Sequence, residues 1–189
     1  MKYFKLLYDY ENDNDAICCI SNELNGIDQY VVEKGIFIKN WNMGIILFYN
    51  PKEGTRKTDF LGNDLGWLIV SAKLKNILEE NFITGIQYLP IKIINALTNE
   101  NLENYFVANI YNLVDAIDLA NSKYDIFVVG DNEKIITIEK YALKKEKIID
   151  VDIFKLKDDT IPKFISEKVV NLIQENNLTG CSFLEVKVT

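Results

Sequence analysis

The strongest constraint on how this chain can fold is an internal repeat: the segment from Ser71 to Ile91 aligns without gaps on the segment from Ser166 to Val186, at an offset of 95 residues. Identical pairs are Ser71/Ser166, Lys73/Lys168, Asn76/Asn171, Glu80/Glu175, Asn81/Asn176, Thr84/Thr179, Gly85/Gly180 and Leu89/Leu184, and the apolar positions between them mostly correspond. A repeated segment implies a repeated supersecondary unit. In each copy the serine can accept the first unpaired amides of a helix. Leu74, Ile77 and Leu78, like Val169, Leu172 and Ile173, then recur at the three-and-four spacing of one buried stripe. Asn81 or Asn176 falls where the chain must leave the helix, a place suited to a left-handed Asn, and Thr-Gly turns the chain into an extended apolar run. Each copy therefore predicts a short helix laid against the strand that follows it, with an apolar lead-in at 67–70 or 164–165, and the two copies should share one core.

Outside the repeat, residues 2–9, 30–39 and 44–50 are rich in Val, Ile, Phe and Tyr and predict strands, with a tight connection at 40–43. Between the copies, 105–111 and 124–129 read as strands. Leu113, Ala116, Ile117 and Ala120 give 112–120 the spacing of a short helix. Residues 134–141 alternate weakly, Asp131 with Asn132 suits a hairpin turn, and 147–156 has the pattern of a half-exposed antiparallel strand. The loop 50–66, interrupted by Pro51, Gly54, Gly62 and Gly66, marks a soft division into a β-rich part, 1–63, and an α+β part, 64–189, packed as one compact unit. The expected class is α+β: a mixed, mainly antiparallel sheet of about ten short strands with about three short helices.

The chain has no histidine among its 189 residues, which removes imidazole acid-base relays and histidine metal sites. No phosphate-cradling glycine loop, nucleophile elbow, CxxC or EF-hand is present, and no cofactor or metal is expected. With 21 basic against 28 acidic residues the formal charge is −7, which disfavours nucleic acid and anionic membranes and favours basic partners. Three cysteines, Cys18 and Cys19 adjacent and Cys181 distant, make no even disulfide framework and suit a reducing compartment. The first ten residues lack the apolar core of a signal peptide, so a cytoplasmic protein is expected.

Two carboxylate pairs, Asp115 with Asp118 and Asp150 with Asp152, could share a helix or strand face as general acid-base chemistry requires, although solvated charge explains them more simply. Cys181 aligns with Ile86, which argues for packing. The acidic run Asp9, Glu11, Asp13, Asp15 lacks the Gly and closing Glu of a calcium loop but could steer a basic partner. Asp64, Asp158, Asp159 and the pair Asp131 and Glu133 are further acidic loop candidates, and Trp41 is a candidate aromatic anchor.

Tyr105-Phe-Val-Ala-Asn109-Ile110, Asp115-Ala-Ile-Asp118 and Ser122-Lys-Tyr124, together with the paired serine-helix-Thr-Gly units, resemble the bacterial immunity-protein family of polymorphic toxin systems numbered eleven. The resemblance covers the chain from Asp64 onward, through LIVSAKLKNIL, GIQYLPIKI, DIFKL, FISEKVVNLI and LTGCSFLEV. It implies a cytoplasmic, non-catalytic protein that binds and blocks a cognate toxin domain encoded beside it; a monomer or weak homodimer is expected. Its shared Ser, Asn, Asp and Thr-Gly positions read as caps and turns. Two other classes stand beside it: a carboxylate-dependent hydrolase, marked by a deep pocket with two close acids, and a scaffolding domain of a larger assembly.

Overall fold

In the computed structural model, which describes residues 1–20, 28–129 and 133–189, both helices of the repeat form as the spacing predicts. Helices α1 (Ala72–Glu80) and α2 (Glu167–Glu175) each run nine residues and end on the paired asparagines. Ser71 Oγ accepts the Leu74 amide at 3.1 Å and donates to Asp59 at 2.6 Å. Ser166 Oγ makes no cap bond and donates to Asp152 at 2.6 Å, so both serines are held by an aspartate on the neighbouring strand lead-in. The left-handed residue is not the asparagine, as expected, but the one after it: Phe82 at φ 58° and Asn177 at φ 50°. The asparagine amides instead fold back onto the helix carbonyls of Ile77 and Leu172, at 2.9 and 2.8 Å. Lys73 Nζ donates to the Asn176 carbonyl at 2.9 Å and Lys168 Nζ to the Asn81 carbonyl at 3.1 Å. The helices thus lie antiparallel, each lysine capping the negative end of the other's dipole.

In chain order the strands are β1 (Tyr3–Tyr8), β2 (Ile17–Ile20), β3 (Ile46–Tyr49), β4 (Phe60–Asn63), β5 (Ile69–Ser71), β6 (Ile86–Pro90), β7 (Lys92–Asn95), β8 (Asn101–Leu102), β9 (Tyr105–Ile110), β10 (Leu113–Val114), β11 (Lys123–Val129), β12 (Glu133–Lys140), β13 (Ala142–Leu143), β14 (Ile153–Leu156), β15 (Lys163–Ser166) and β16 (Cys181–Val188). They form an eight-stranded sheet, β6-β9-β5-β4-β2-β3-β7-β8, a six-stranded sheet, β10-β14-β15-β1-β16-β13, and the separate pair β11-β12. The class is α+β, mostly strand, as expected.

Within the two large sheets, β6-β9-β5-β4 and β16-β1-β15-β14 are the same antiparallel unit. The registers coincide: Ser71 opposes Tyr105 and Val70 opposes Phe106, while Ser166 opposes Tyr3 and Ile165 opposes Phe4. The first strand of the chain therefore completes the second copy of the repeat, and Tyr3-Phe4 is the counterpart of Tyr105-Phe106. The two units enclose one inner core, built from Leu6, Val70, Leu74, Leu78, Ile110, Ile165, Val169 and Ile173 with their neighbours. Outside the first unit, β2, β3 and β7 cover Ile69, Leu89 and Val107. Outside the second, Ala116, Tyr141, Leu143 and Ile148 cover Tyr3, Phe154 and Phe164.

Three local expectations are corrected. Residues 30–39 are not a strand: they hold a 3-10 turn at Val31–Glu33 and then bend. Their polar backbone is satisfied by side-chain amides, Gln87 bonding both the N–H and carbonyl of Ile38 and Asn109 the carbonyl of Ile36, at 2.8 to 3.0 Å. Residues 112–120 are not a helix, because Leu113 and Val114 pair in parallel with β14, while Asp118 N–H donates to Ala142 and Ala116 accepts from Lys144. Only Ile153–Leu156 of the 147–156 segment is a strand, and it is buried at all four positions between β10 and β15 rather than half-exposed. The turn at Asp131 and Asn132 lies outside the described residues.

The buried Lys155 of β14 donates to the Val32 carbonyl at 2.6 Å and so ties the 30–39 excursion to the second unit. Burial, with Lys163 nearby, pulls its ammonium down to about 8, and Glu33 only partly opposes this. The folded pKa lies below the unfolded one, so the folded chain resists protonation: the burial cost is complete below pH 8 and is relieved as pH rises toward 10.5. Chemical denaturation of wild type and Lys155→Met from pH 7 to 10 should show wild type gaining up to about 3 kcal/mol relative to the variant, and parallel curves would show that Lys155 does not carry this linkage. A second comparison uses the repeat. Gly85 and Gly180 share φ near 85°, but a Cβ at Gly180 would lie 2.2 Å from the Phe60 carbonyl oxygen, whereas at Gly85 it meets the Asn112 side chain at 2.8 Å. Both atoms are fixed by the backbone, but the approach at Gly180 is much the closer, so Gly180→Ala should cost more stability than Gly85→Ala by about 1 kcal/mol or more, read from denaturation midpoints.

Candidate functional site

Among the described residues, strands β11 and β12 pair only with each other and form a two-stranded ribbon. Their register puts Tyr124 opposite Ile138 and Ile126 opposite Ile136 on one face, and Asp125 opposite Thr137 and Phe127 opposite Ile135 on the other. A two-stranded ribbon has no interior, so these side chains meet solvent: Ile126, Phe127, Ile135 and Ile136 are each about half exposed and Val128 is 65% exposed. Exposed apolar side chains on both faces make this ribbon the candidate interaction element of an otherwise acidic protein.

The ribbon's foot is fixed. Ser122 Oγ accepts the Ala142 amide at 2.9 Å and donates to the Asp118 carbonyl at 2.7 Å, Lys187 bonds Asn121 at 2.6 Å, and Lys123 pairs with Glu139. At that foot opens a cleft of about 320 Å³, with Ile136 and Ile138 of β12 and Ile117 and Leu119 of the 115–119 loop as its apolar walls. Asp115, Asp158 and Asp159 stand on its rim with one cation, Lys144. Asp159 Oδ2 accepts the Tyr141 hydroxyl at 2.5 Å, and burial together with this carboxylate raises the Tyr141 phenol, which stays protonated and holds Asp159 in place.

The residues singled out from the sequence are scattered by the fold. Asp158 and Asp159 meet at this cleft. Asp9 and Glu11 border a different, shallow cleft beside α2, with Asp13 exposed on the loop after β1. Asp15 is 4% exposed; Arg56 grips it through Nε and, at 2.9 Å, through Nη2, so its charge is spent inside the molecule. Trp41 Nε1 donates to the Pro90 carbonyl at 2.7 Å and its ring leans on Trp67 at 5.7 Å. Asp64 is exposed in the turn after β4. Sequence reasoning missed Asp115 as a member of the cleft rim, and missed the apolar walls. One signal was there: Ile126-Phe127-Val128 and Ile135-Ile136 are consecutive apolar residues, a pattern of strands covered on both faces.

In each of the two carboxylate pairs weighed for acid-base chemistry, one acid is engaged by other side chains. Asp115 lines the cleft, while Asp118 accepts from Thr189 at 2.8 Å and Asn121 at 2.9 Å, which hold its carboxyl below the ordinary range. Asp152 is occupied by Ser166 and by Lys168 at 3.0 Å. Burial, then the carboxylates of Asp59 and Asp9, push the Cys181 thiol up to about 12, so the thiolate that a nucleophile needs is suppressed. Among the described residues no group of three or more Cys, Asp or Glu is arranged to hold a metal, and no helix is long and apolar enough to cross a membrane.

No curated relative matches the chain. The family described as Immunity protein family (Imm11) matches residues 2–188, a span that runs from β1 to the last residue of β16 and so takes in both copies of the repeated unit and the ribbon between them. The chain belongs to the Imm11 immunity protein family.

Proposed function

We propose that this chain neutralises one cognate toxin domain in the cytoplasm by binding it directly, without making or breaking a covalent bond. The observation that carries the reading is family membership over the whole fold. The chemistry of the side chains is in keeping with it. Among the described residues, the carboxylates with displaced acidities, Asp28, Asp118 and Glu139, are held down by hydrogen-bond donors, whereas a general acid working near neutrality needs a carboxyl pushed up. The ribbon supplies exposed apolar anchors, and a net charge of −7 speeds encounter with a basic partner.

Co-expression with the toxin domain encoded in the adjacent reading frame tests the proposal. Growth should be restored and the two polypeptides should co-purify through size exclusion; continued growth arrest with no complex would remove the reading.

A further inference from the structure

The cleft beneath the β11-β12 ribbon pairs an apolar floor with a carboxylate rim. Resting on the toxin-binding role just proposed, we propose that the ribbon face carrying Tyr124, Ile126 and Ile136, together with this cleft, is the surface that docks the toxin domain, and that the cleft seats a lysine or arginine of the toxin. A long-stemmed cation fits both halves of the site, since its methylenes can lie along Ile136, Ile138 and Ile117 while its charge reaches Asp115 and Asp158 at the mouth. The volume, about 320 Å³, exceeds a single side chain and leaves room for the neighbouring residue of a docked segment.

Charge selects the partner. Three carboxylates against one lysine make the rim negative, in the same sense as the whole chain. On the side of the ribbon toward Glu139 the charge reverses: a second cleft, of about 540 Å³, is bordered by Lys5, Lys123, Lys140 and Lys187 with Glu139 and Glu185. A partner with a basic segment is therefore drawn to one side of the ribbon, which fixes its orientation as well as its rate of approach. The same rim disfavours a second copy of this chain as occupant. A twofold contact brings a patch against itself, and here it would set Asp115, Asp158 and Asp159 of one copy near those of the other.

The test measures affinity for the adjacently encoded toxin domain, at low and physiological salt, with the full chain. Asp115→Lys/Asp158→Lys reverses the rim and spares Asp159, whose bond to Tyr141 is structural. Ile126→Ser/Ile136→Ser removes the apolar cover without adding charge, and exposed Glu103→Lys/Glu175→Lys makes the same net charge change elsewhere. All three should keep the wild-type circular dichroism spectrum. The first two should bind about tenfold or more weakly, the rim variant with a flattened salt dependence, and the third should lose less than about threefold. Wild-type protein that binds and protects while both ribbon-cleft variants keep their affinity would overturn the docking face and leave the inhibitor role standing. Wild-type protein that neither binds nor protects would overturn that role and this face with it. A wild-type dimer in light scattering that Ile126→Ser/Ile136→Ser dissolves, with toxin affinity unchanged, would assign the ribbon to a second copy and overturn the proposal.

Discussion

The insertion of β1 between β15 and β16 is the contact on which the rest of this structure depends. Its six residues pair on one side with residues 163–166 and on the other with residues 181–186. Without it β16 has no partner linking it to β15, and α2 has no continuous sheet to lie on. Its alternating side chains serve both faces: Leu6 enters the inner core, while Tyr3 joins the outer one and donates its hydroxyl to the Ile148 carbonyl. Such a distant pairing is affordable because loop-closure entropy grows only logarithmically with the length of chain enclosed.

Function, on the reading proposed here, gathers where the two units stop resembling each other. Leu89 is 3% exposed beneath β3 and β7, yet its counterpart Leu184 is 55% exposed, because among the described residues no equivalent strands cover that part of the second unit. In place of a full cover the second unit has short β13, the 115–119 loop and the ribbon they anchor. Duplicated halves supply a rigid base, and the departures from symmetry supply surfaces that only one half presents.

What could be read from the sequence was local. The Ser71 cap, the start of the second helix after Ser166, the helical stripes and the Thr-Gly exits fall where their spacing places them, because each is decided by neighbours within one or two turns. What escaped was decided from far away. Leu113, Ala116, Ile117 and Ala120 have helical spacing, but β14 and Ala142 claim the backbone of that segment. Residues 36–38 look extended, but Gln87 and Asn109 provide the hydrogen bonds that a neighbouring strand would have provided. The kinship of Tyr3-Phe4 with Tyr105-Phe106 is written in the chain, yet two residues are too few to reveal that the unit's fourth strand is permuted to the front. At the cleft, Asp158 and Asp159 were legible as acids, whereas the isoleucines beside them, Ile117 from one stretch and Ile136 and Ile138 from another, are assembled only by the fold.

The closing of the second unit by the first strand also sets an order of events during synthesis. A chain leaving the ribosome can complete the unit of β4, β5, β6 and β9 early, but β1 must wait, its edges open, until β15 and β16 have been translated. A nascent chain therefore holds only one of its two units until β16 emerges, and a contact that draws on β16, such as that of Lys187 with Asn121 at the ribbon's foot, forms late.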